Sequence, residues 1–156
     1  MPKFEKLTLP NEGEIITFNQ GKPNVPNNPI VPFIRGDGTG VDIWPATQIV
    51  LDSAIKKAYG DKRKINWFKI YAGDEACELY GTYNYLPQDT IEAIKHFGVA
   101  IKGPLTTPIG GGIRSLNVAL RQIFDLYSCV RPCRYYSGTP SPHKNPHNLS
   151  LIHISE

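Results

Sequence analysis

Residues 30–59 have the sequence IVPFIRGDGTGVDIWPATQIVLDSAIKKAY, and this stretch decides the fold class. The apolar run over residues 30–34 predicts a strand, and Gly36-Asp37-Gly38-Thr39-Gly40 predicts a turn. A helix over residues 41–59 follows and ends at Gly60-Asp61. It is predicted from apolar residues that recur at helical spacing: Ile43, Ala46, Ile49, Val50, Ala54 and Ala58. Strands that alternate with helices in this way are typical of α/β folds.

The same alternation continues along the rest of the chain. Further strands are predicted over residues 65–71, 99–102 and 130–136, and further helices over residues 74–80, 87–97 and 115–121. Residues 14–18 alternate and predict a short antiparallel strand at an edge. Residues 138–146 carry three prolines and predict an exposed crossover between two lobes. We therefore expect an α/β fold with a largely parallel sheet and flanking helices.

The bulk composition excludes several classes of protein. With 17 basic and 14 acidic residues among 156, the net charge of +3 is too small for a nucleic-acid-binding protein. The longest basic run, Lys62-Arg63-Lys64, is predicted to be a solvated turn. No stretch approaches the roughly 18 apolar residues of a membrane helix, and residues 1–14 lack the apolar core of a signal peptide. We expect a cytoplasmic protein with no nucleic-acid or membrane partner.

The three cysteines are expected to be free thiols, because the chain shows no export signal. Cys129-x3-Cys133 followed by His143-x3-His147 superficially resembles a zinc site with two cysteines and two histidines. In a strand the two cysteines would lie about 13 Å apart, at roughly 3.3 Å per residue, which is too far to share one ion. We therefore predict half-buried strand cysteines and exposed loop histidines instead of a metal site.

A candidate binding site lies within residues 101–121, where a strand end, a loop rich in proline and glycine and a helix start follow one another. Consecutive glycines in the loop over residues 106–112 indicate that the backbone approaches a ligand closely. Asn117 and Arg121 share a helix face, and Ser115 stands at the helix start, where an anion is favoured. Together with Arg131, whose guanidinium suits planar carboxylates, they predict a site for a carboxylate-rich small molecule. Each alone is more typical of a cap, a turn or a surface ion pair.

The glycine turn over residues 36–40 invites comparison with dinucleotide-binding loops, because helix N-termini bind phosphate. Its spacing, G-x-G-x-G, differs from the G-x-G-x-x-G of the Rossmann fold. We predict a structural turn near a cofactor site, and we assign no ribose-binding role to Asp37.

Several of these stretches, in the same order, resemble the isocitrate/isopropylmalate dehydrogenase family, and its bacterial NADP-dependent isocitrate dehydrogenases in particular. They are residues 24–59 with Ile34-Arg35-Gly36-Asp37-Gly38-Thr39-Gly40, residues 101–121, and residues 125–142 with Arg131-Pro132-Cys133-Arg134-Tyr135-Tyr136. The similarity extends over residues 13 to about 147. It implies a non-Rossmann α/β fold that is incomplete here, about the first third of a longer enzyme. By the resemblance, residues 1–126 are the N-terminal part of the large domain and residues 127–148 the start of the small domain.

The resemblance also implies roles for individual residues. Ser115, Asn117, Arg121 and Arg131 correspond to isocitrate-binding residues, with Ser115 and Asn117 facing the γ-carboxylate that distinguishes isocitrate from isopropylmalate. Thr106 corresponds to a contact on the nicotinamide side of NADP. Lys102, a cation at a strand end, is placed near the site, either in a direct role or as an exposed lysine. Ser115 also matches the serine that a regulatory kinase and phosphatase modify in the bacterial enzymes.

The implied reaction is the oxidative decarboxylation of isocitrate to 2-oxoglutarate and CO2, with NADP and Mg2+ or Mn2+ as cofactors. It belongs to the tricarboxylic acid cycle and its branch point with the glyoxylate bypass. The resemblance places the catalytic acid/base residues and the metal ligands beyond residue 147, and it implies a homodimer. A competing hypothesis is a binding module that senses a di- or tricarboxylate with the same anion site and no chemistry.

The similarity stops near residue 147. Residues 149–156, LSLIHISE, can be back-translated as CTG TCT CTT ATA CAC ATC TCC GAG, which resembles a transposon-end adapter used in sequencing libraries. We predict a non-native tail over these residues. The alternative is a divergent native strand, because Leu-Ser-Leu-Ile-His-Ile alternates.

Overall fold

A computed structural model of the chain describes residues 3–106 and 115–132, Gly138, Pro140 and the strand Ser150–Ile154. The chain divides into two compact units, Met1–Leu116 and Asn117–Glu156. The strands are β1 (Thr17–Asn19), β2 (Lys22–Asn24), β3 (Ile30–Ile34), β4 (Asn66–Lys69), β5 (Ile101–Lys102), β6 (Ser128–Pro132) and β7 (Ser150–Ile154). The helices are α1 (Gly40–Tyr59), α2 (Asp74–Tyr80), α3 (Gln88–Phe97) and α4 (Leu116–Ile123). None of these helices is long and apolar enough to cross a membrane.

A parallel sheet with the order β4-β3-β5 forms the centre of the first unit. Ile30 pairs with Asn66, and Phe33 pairs with Lys69 on one side and with Ile101 on the other. The middle strand is apolar at every position, and Ile30, Phe33 and Ile34 are buried. Such continuous apolar runs are typical of parallel strands that are covered on both faces. The predicted α/β fold with a parallel sheet is confirmed.

Helix α3 supplies much of the core of this unit. Ala93 and Phe97 are buried, and the Phe97 ring lies 5.4 Å from the ring of Phe68 in the sheet, between centroids. The buried Thr90 hydroxyl donates a hydrogen bond to the carbonyl of Tyr71, at 2.6 Å. The helix predicted over residues 87–97 is confirmed from residue 88 onward, and Pro87 lies immediately before its first residue.

Helix α1 begins one residue before its predicted start and ends where predicted, but its evenly spaced apolar residues do not form the buried face. Ile43, Ile49 and Val50 are 53 %, 67 % and 65 % exposed. The buried residues of this helix are Gly40 and Trp44, and the Trp44 ring stacks on Phe33 with 4.0 Å between centroids.

The N-terminal strand differs from the prediction. Instead of a strand over residues 14–18, Glu14 forms an isolated parallel bridge with Pro29, and β1 pairs with β2 in an antiparallel hairpin. Gln20 and Gly21 connect the two strands with φ values of 49° and 77°. A two-residue turn with positive φ at both positions matches the twist of a hairpin, and this turn sets the pairing.

The second unit contains most of α4 and a hairpin of β6 and β7. The two strands are antiparallel, with Ser128 opposite Ile154 and Pro132 opposite Ser150. The strand that the sequence predicts over residues 130–136 therefore begins two residues earlier, and residues 133–137 lie outside the described residues. An alternating sequence pairs as a strand whatever its origin. The non-native tail over residues 149–156 thus stays a prediction.

Candidate functional site

The loops that follow β3, β4 and β5 meet at one carboxylate, that of Asp37. Because the carboxyl ends of parallel strands lie at one edge of a sheet, their loops become neighbours. The Asp37 side chain, in a residue 7 % exposed, accepts the backbone N–H of Asp74 on Oδ1 and that of Thr106 on Oδ2, both at 2.9 Å. The Asp37 backbone N–H donates to the carbonyl of Pro104 at 2.8 Å. We call these three loops the Asp37 junction.

Two glycines allow the loops of the Asp37 junction to approach so closely. Gly73 has φ of 78°, and a Cβ there would lie 2.3 Å and 2.5 Å from the carboxylate oxygens of Asp37. Gly36 has φ of 85°, and a Cβ there would lie 2.2 Å from the carbonyl oxygen of Pro104. Both the conformation and the space exclude a side chain at either position.

Lys102 is the last residue of β5, and Thr106 lies in the loop that follows it. The Lys102 ammonium, at the end of β5, donates a hydrogen bond to the carbonyl of Gly103 at 2.8 Å. Thr106 is exposed, while its backbone is held by Asp37. The structure therefore fixes the backbone of the predicted cofactor contact and leaves its side chain accessible. The rest of the predicted glycine loop, residues 107–114, lies outside the described residues.

Ser115, Asn117 and Arg121 occupy the predicted positions relative to a helix. Ser115 immediately precedes α4, and Asn117 and Arg121 lie one turn apart within it. All three are half-buried, whereas Leu116 and Leu120 of the same helix are buried, at 5 % and 7 % exposure. These two apolar residues of α4 are thus buried, and the three polar residues remain partly accessible.

Within the second unit, Arg121 and Arg131 converge on Cys129. The Arg121 guanidinium donates from Nη2 to the Cys129 sulfur at 3.6 Å. The pKa of the Cys129 thiol lies below its ordinary value, because a hydrogen bond from Arg131 and the charges of both arginines outweigh the opposing effect of burial. Two of the predicted substrate residues therefore concentrate positive charge in one place, as binding of a carboxylate requires. The proximity of Cys129 to both arginines was not predicted from the sequence.

A cluster of charges at the carboxyl ends of β3 and β4 was not predicted. Glu75 of α2 pairs with Lys69 at 2.5 Å and with Arg35 at 3.5 Å. Among the described residues, Nε of Arg35 is a buried nitrogen without a hydrogen-bond partner. The pairing ties the first turn of α2 to the end of the sheet, and only the long-range fold brings its members together.

Of the two cysteines and two histidines that superficially resemble a zinc site, Cys129 lies within the described residues and the other three lie outside them. Cys77 and Cys129 are free thiols and half-buried. Cys133, His143 and His147 are not described, and the prediction about them stays a prediction. Within the part of the chain that the structure describes, His, Cys, Asp and Glu form no group of three that could hold a metal ion.

A cavity of about 420 Å³ lies at the other end of the sheet. It is lined by residues from the last turns of α1 and the segment before β4: Asp52, Ile55, Lys56, Gly60, Asp61, Arg63, Lys64 and Ile65. Its walls mix acidic and basic groups, and it is remote from the Asp37 junction because it precedes β4 instead of following it.

Comparison with known proteins shows what this chain is similar to. Residues 30–156 match the family described as isocitrate/isopropylmalate dehydrogenase. Over 149 residues, 96 % of the chain, it is 74 % identical to "Isocitrate dehydrogenase [NADP]" of Nostoc sp., of which it covers 32 %. A protein of the same name from Coxiella burnetii is 54 % identical over 98 % of the chain, and 36 % of that protein is covered.

A solved structure supports the same relationship. The crystal structure of isocitrate dehydrogenase from Methylococcus capsulatus matches 80 % of this chain with a TM-score of 0.60 and 34 % identity, and 33 % of that chain is covered. The chain spans about a third of the length of the curated relatives that it matches. The incomplete α/β fold, the family match and these relatives together show that the chain belongs to the isocitrate/isopropylmalate dehydrogenase family.

Proposed function

We propose that this chain is the N-terminal part of an NADP-dependent isocitrate dehydrogenase, which converts isocitrate to 2-oxoglutarate and CO2. The observation that carries the proposal is the 74 % identity to a relative of that name over 96 % of the chain, which includes nearly all of the candidate site. The convergence of Arg121 and Arg131 on Cys129 supports it, because the substrate has three carboxylates to be paired.

Isocitrate recognition rests on the residues of α4 and β6. Arg121 and Arg131 offer forked donors to carboxylates, and a guanidinium binds a planar carboxylate with two parallel hydrogen bonds. Ser115 and Asn117 supply a hydroxyl and an amide for the γ-carboxylate. An apolar residue at either position would favour an alkyl malate instead, because a carboxylate left without donors is costly to bury.

The cofactor side rests on Thr106. Its exposed side chain contacts the nicotinamide side of NADP, and its backbone stays fixed by Asp37. When bound, NADP would supply the hydride acceptor and Mg2+ or Mn2+ would polarise the substrate oxygens; the resemblance implies that the metal ligands lie beyond residue 147. Lys102 lies close enough in sequence to Thr106 to add positive charge at the same strand end.

The proposal also covers assembly and regulation. The enzyme is a homodimer in the cytoplasm, and a kinase controls it through Ser115. A phosphate there adds about −1.5 to −2 charge where the γ-carboxylate binds, so it fills the space and repels the substrate.

The test uses a chimaera that joins residues 1–147 of this chain to the part of the Nostoc enzyme that follows the matching region. Arg121→Ala and Arg131→Ala should each lower kcat/KM for isocitrate by at least about 100-fold, since removing one partner of a buried pair costs about 3 to 5 kcal/mol. Arg63→Ala, at an exposed arginine near the cavity, is the matched control and should keep the activity. A loss below tenfold would remove that arginine from the site.

Ser115 is tested in the same chimaera. Ser115→Asp should abolish most isocitrate binding, whereas Ser115→Ala loses only a hydrogen bond and should keep substantial activity. Equal activity of the two variants would mean that Ser115 does not face the substrate.

The alternative, a carboxylate-sensing module without chemistry, makes a different prediction for residues 1–147 alone. A sensor would bind isocitrate in calorimetry, because its site would be complete. The segment of an enzyme should give negligible heat, since a large part of the pocket comes from outside it.

A further inference from the structure

The side chain of Asp37 joins the loop that carries it to the two other loops of the Asp37 junction. Its two oxygens are used separately, Oδ1 by the N–H of Asp74 and Oδ2 by the N–H of Thr106. A carboxylate can satisfy both donors at once because both of its oxygens accept. The geometry therefore makes the position of Thr106 depend on how this carboxylate is oriented.

Hydrogen bonds hold the backbone of residues 103–106 at several points. The Gly103 N–H donates to the carbonyl of Ile34 at 2.8 Å, and the Pro104 carbonyl accepts the N–H of Asp37 at 2.8 Å. Pro104 and Thr106 lie beyond the end of β5, where the ladder no longer holds the chain. The side chain of Asp37 supplies the last of these fastenings.

The loop after β4 restricts the orientation of the Asp37 carboxylate. The Asp74 N–H holds Oδ1, and Gly73 packs so close that an added Cβ would overlap both oxygens. A carboxylate confined in this way cannot rotate without losing one backbone donor. One carboxylate thus links the loop after β4 to the loop after β5 through two hydrogen bonds.

We infer that Asp37 is a positioning residue for the cofactor, one that acts through Thr106 without touching NADP. The inference rests on the proposed role of Thr106 as a nicotinamide contact. It assigns to the glycine turn a function in cofactor binding that its sequence spacing alone did not support. The substrate arginines lie on other elements, so the effect of Asp37 should be confined to NADP.

Asp37→Asn in the chimaera tests this, because an amide has the same shape but one acceptor oxygen. Whichever way the amide is turned, its NH2 group faces a backbone N–H. We expect KM for NADP to rise at least about fivefold, in line with the loss of one hydrogen bond to a charged group. KM for isocitrate should change less than about twofold, since no substrate contact is removed. Asp61→Asn, at an exposed aspartate, is the matched control and should alter neither.

A double-mutant cycle with Thr106→Ala separates this inference from the proposed function. If Thr106→Ala leaves KM for NADP unchanged, the proposed cofactor contact is wrong. If Thr106→Ala raises it but Asp37→Asn does not, the positioning role alone is wrong. The inference predicts that Asp37→Asn adds little in the Thr106→Ala background, because the contact is already lost; full additivity contradicts it.

Gly73→Ala provides a second route, because its Cβ displaces the carboxylate while Asp37 remains. The same selective rise in KM for NADP is expected. If Asp37→Asn does not fold, this variant decides the outcome. If neither variant yields a folded chimaera, Asp37 is a folding residue and the positioning role is wrong.

Discussion

Helix α1 is richer in apolar residues than α3, but less of it is buried. The ten residues of α3 place Thr90, Ala93 and Phe97 in the core at 0 %, 0 % and 2 % exposure. The twenty residues of α1 bury Gly40 and Trp44, while Ile49 and Val50 are 67 % and 65 % exposed. Within the described residues, the apolar side of α3 is covered, whereas α1 is covered on one side and exposed on the other.

The difference shows which helix is covered by described residues of this chain and which helix is covered in part. A helix that is apolar on more than one side is normally covered on more than one side. The relatives are about three times as long as this chain, which covers 32 % of the Nostoc protein. We therefore expect residues that the relatives carry beyond the matching region to cover the outward side of α1, which we define by Ile43, Ile49 and Val50.

The largest effect is expected in the core that α3 forms with the sheet. Phe97→Ala in the chimaera should lower the free energy of unfolding by about 3 to 5 kcal/mol, because it opens a cavity beside Phe68 that the sheet cannot fill. Chemical denaturation measures this. Tyr127→Ala, at a residue 86 % exposed, is the control and should change little. A cost for Phe97→Ala below about 1 kcal/mol would mean that α3 is not closed by this core.

The outward side of α1 should respond with opposite signs in two contexts. Replacing Ile49 and Val50 by Gln should increase the soluble yield of residues 1–147 alone, since it removes exposed apolar surface. The same pair should destabilise the chimaera by about 2 to 4 kcal/mol, because there the side chains become buried. Val25→Gln, at another half-exposed apolar residue, should not destabilise the chimaera. No destabilisation by the Gln pair would show that nothing covers this side.

The sequence could predict the elements better than their surroundings. The strand over residues 30–34 and the bounds of α2 match the structure, because apolar runs, glycines and prolines act locally. The exposed side of α1 could not be predicted, since its apolar residues recur around much of the helix and the period does not say which side meets this sheet. The hairpin of β1 and β2 was missed because the turn at Gln20 and Gly21 decides its pairing.

The candidate site shows the same limit. The positions of Ser115, Asn117 and Arg121 relative to α4 followed from local spacing. The partners of Asp37 did not, because Asp74 and Thr106 are separated from it by 37 and 69 residues. A lone aspartate between glycines, after a buried strand, is the signal that could have pointed to a junction of loops.

Asp89, in the first turn of α3, should make the free energy of unfolding depend on pH. Burial alone would raise the pKa of this carboxyl, but the backbone N–H groups of Lys6 and Glu5 and the hydroxyl of Tyr80 lower it below the ordinary value. A lowered carboxyl pKa stabilises the fold above the unfolded-state pKa of about 3.9, and that contribution is lost as the pH falls through the folded-state pKa.

Asp89→Asn should therefore cost about 1 to 3 kcal/mol near pH 7 and progressively less as the pH falls below about 4. The melting temperatures of the chimaera and its variant, measured from pH 7 to pH 3, should converge at the acid end. Asp61→Asn, at an exposed aspartate, should run parallel to the parent. A constant difference across the range would show that the charge of Asp89 does not hold the N-terminal segment to α3.

The smallest effect separates the two described cysteines. The pKa of Cys77 is raised, mainly by burial and also by the nearby charges of Asp74 and Asp37, whereas Arg131 and Arg121 lower that of Cys129. Since the thiolate is the nucleophile, iodoacetamide at pH 7 should label Cys129 at least about threefold faster than Cys77, as followed by mass spectrometry of the two peptides. Arg131→Ala should move the pH midpoint of Cys129 labelling upward, because it removes the hydrogen bond and a positive charge together. Arg63→Ala should leave that midpoint in place, since Arg63 stacks on Tyr59 and not on Cys129. If Arg131→Ala left the midpoint unchanged, the positive charge proposed to receive the substrate carboxylates would not be concentrated at Cys129.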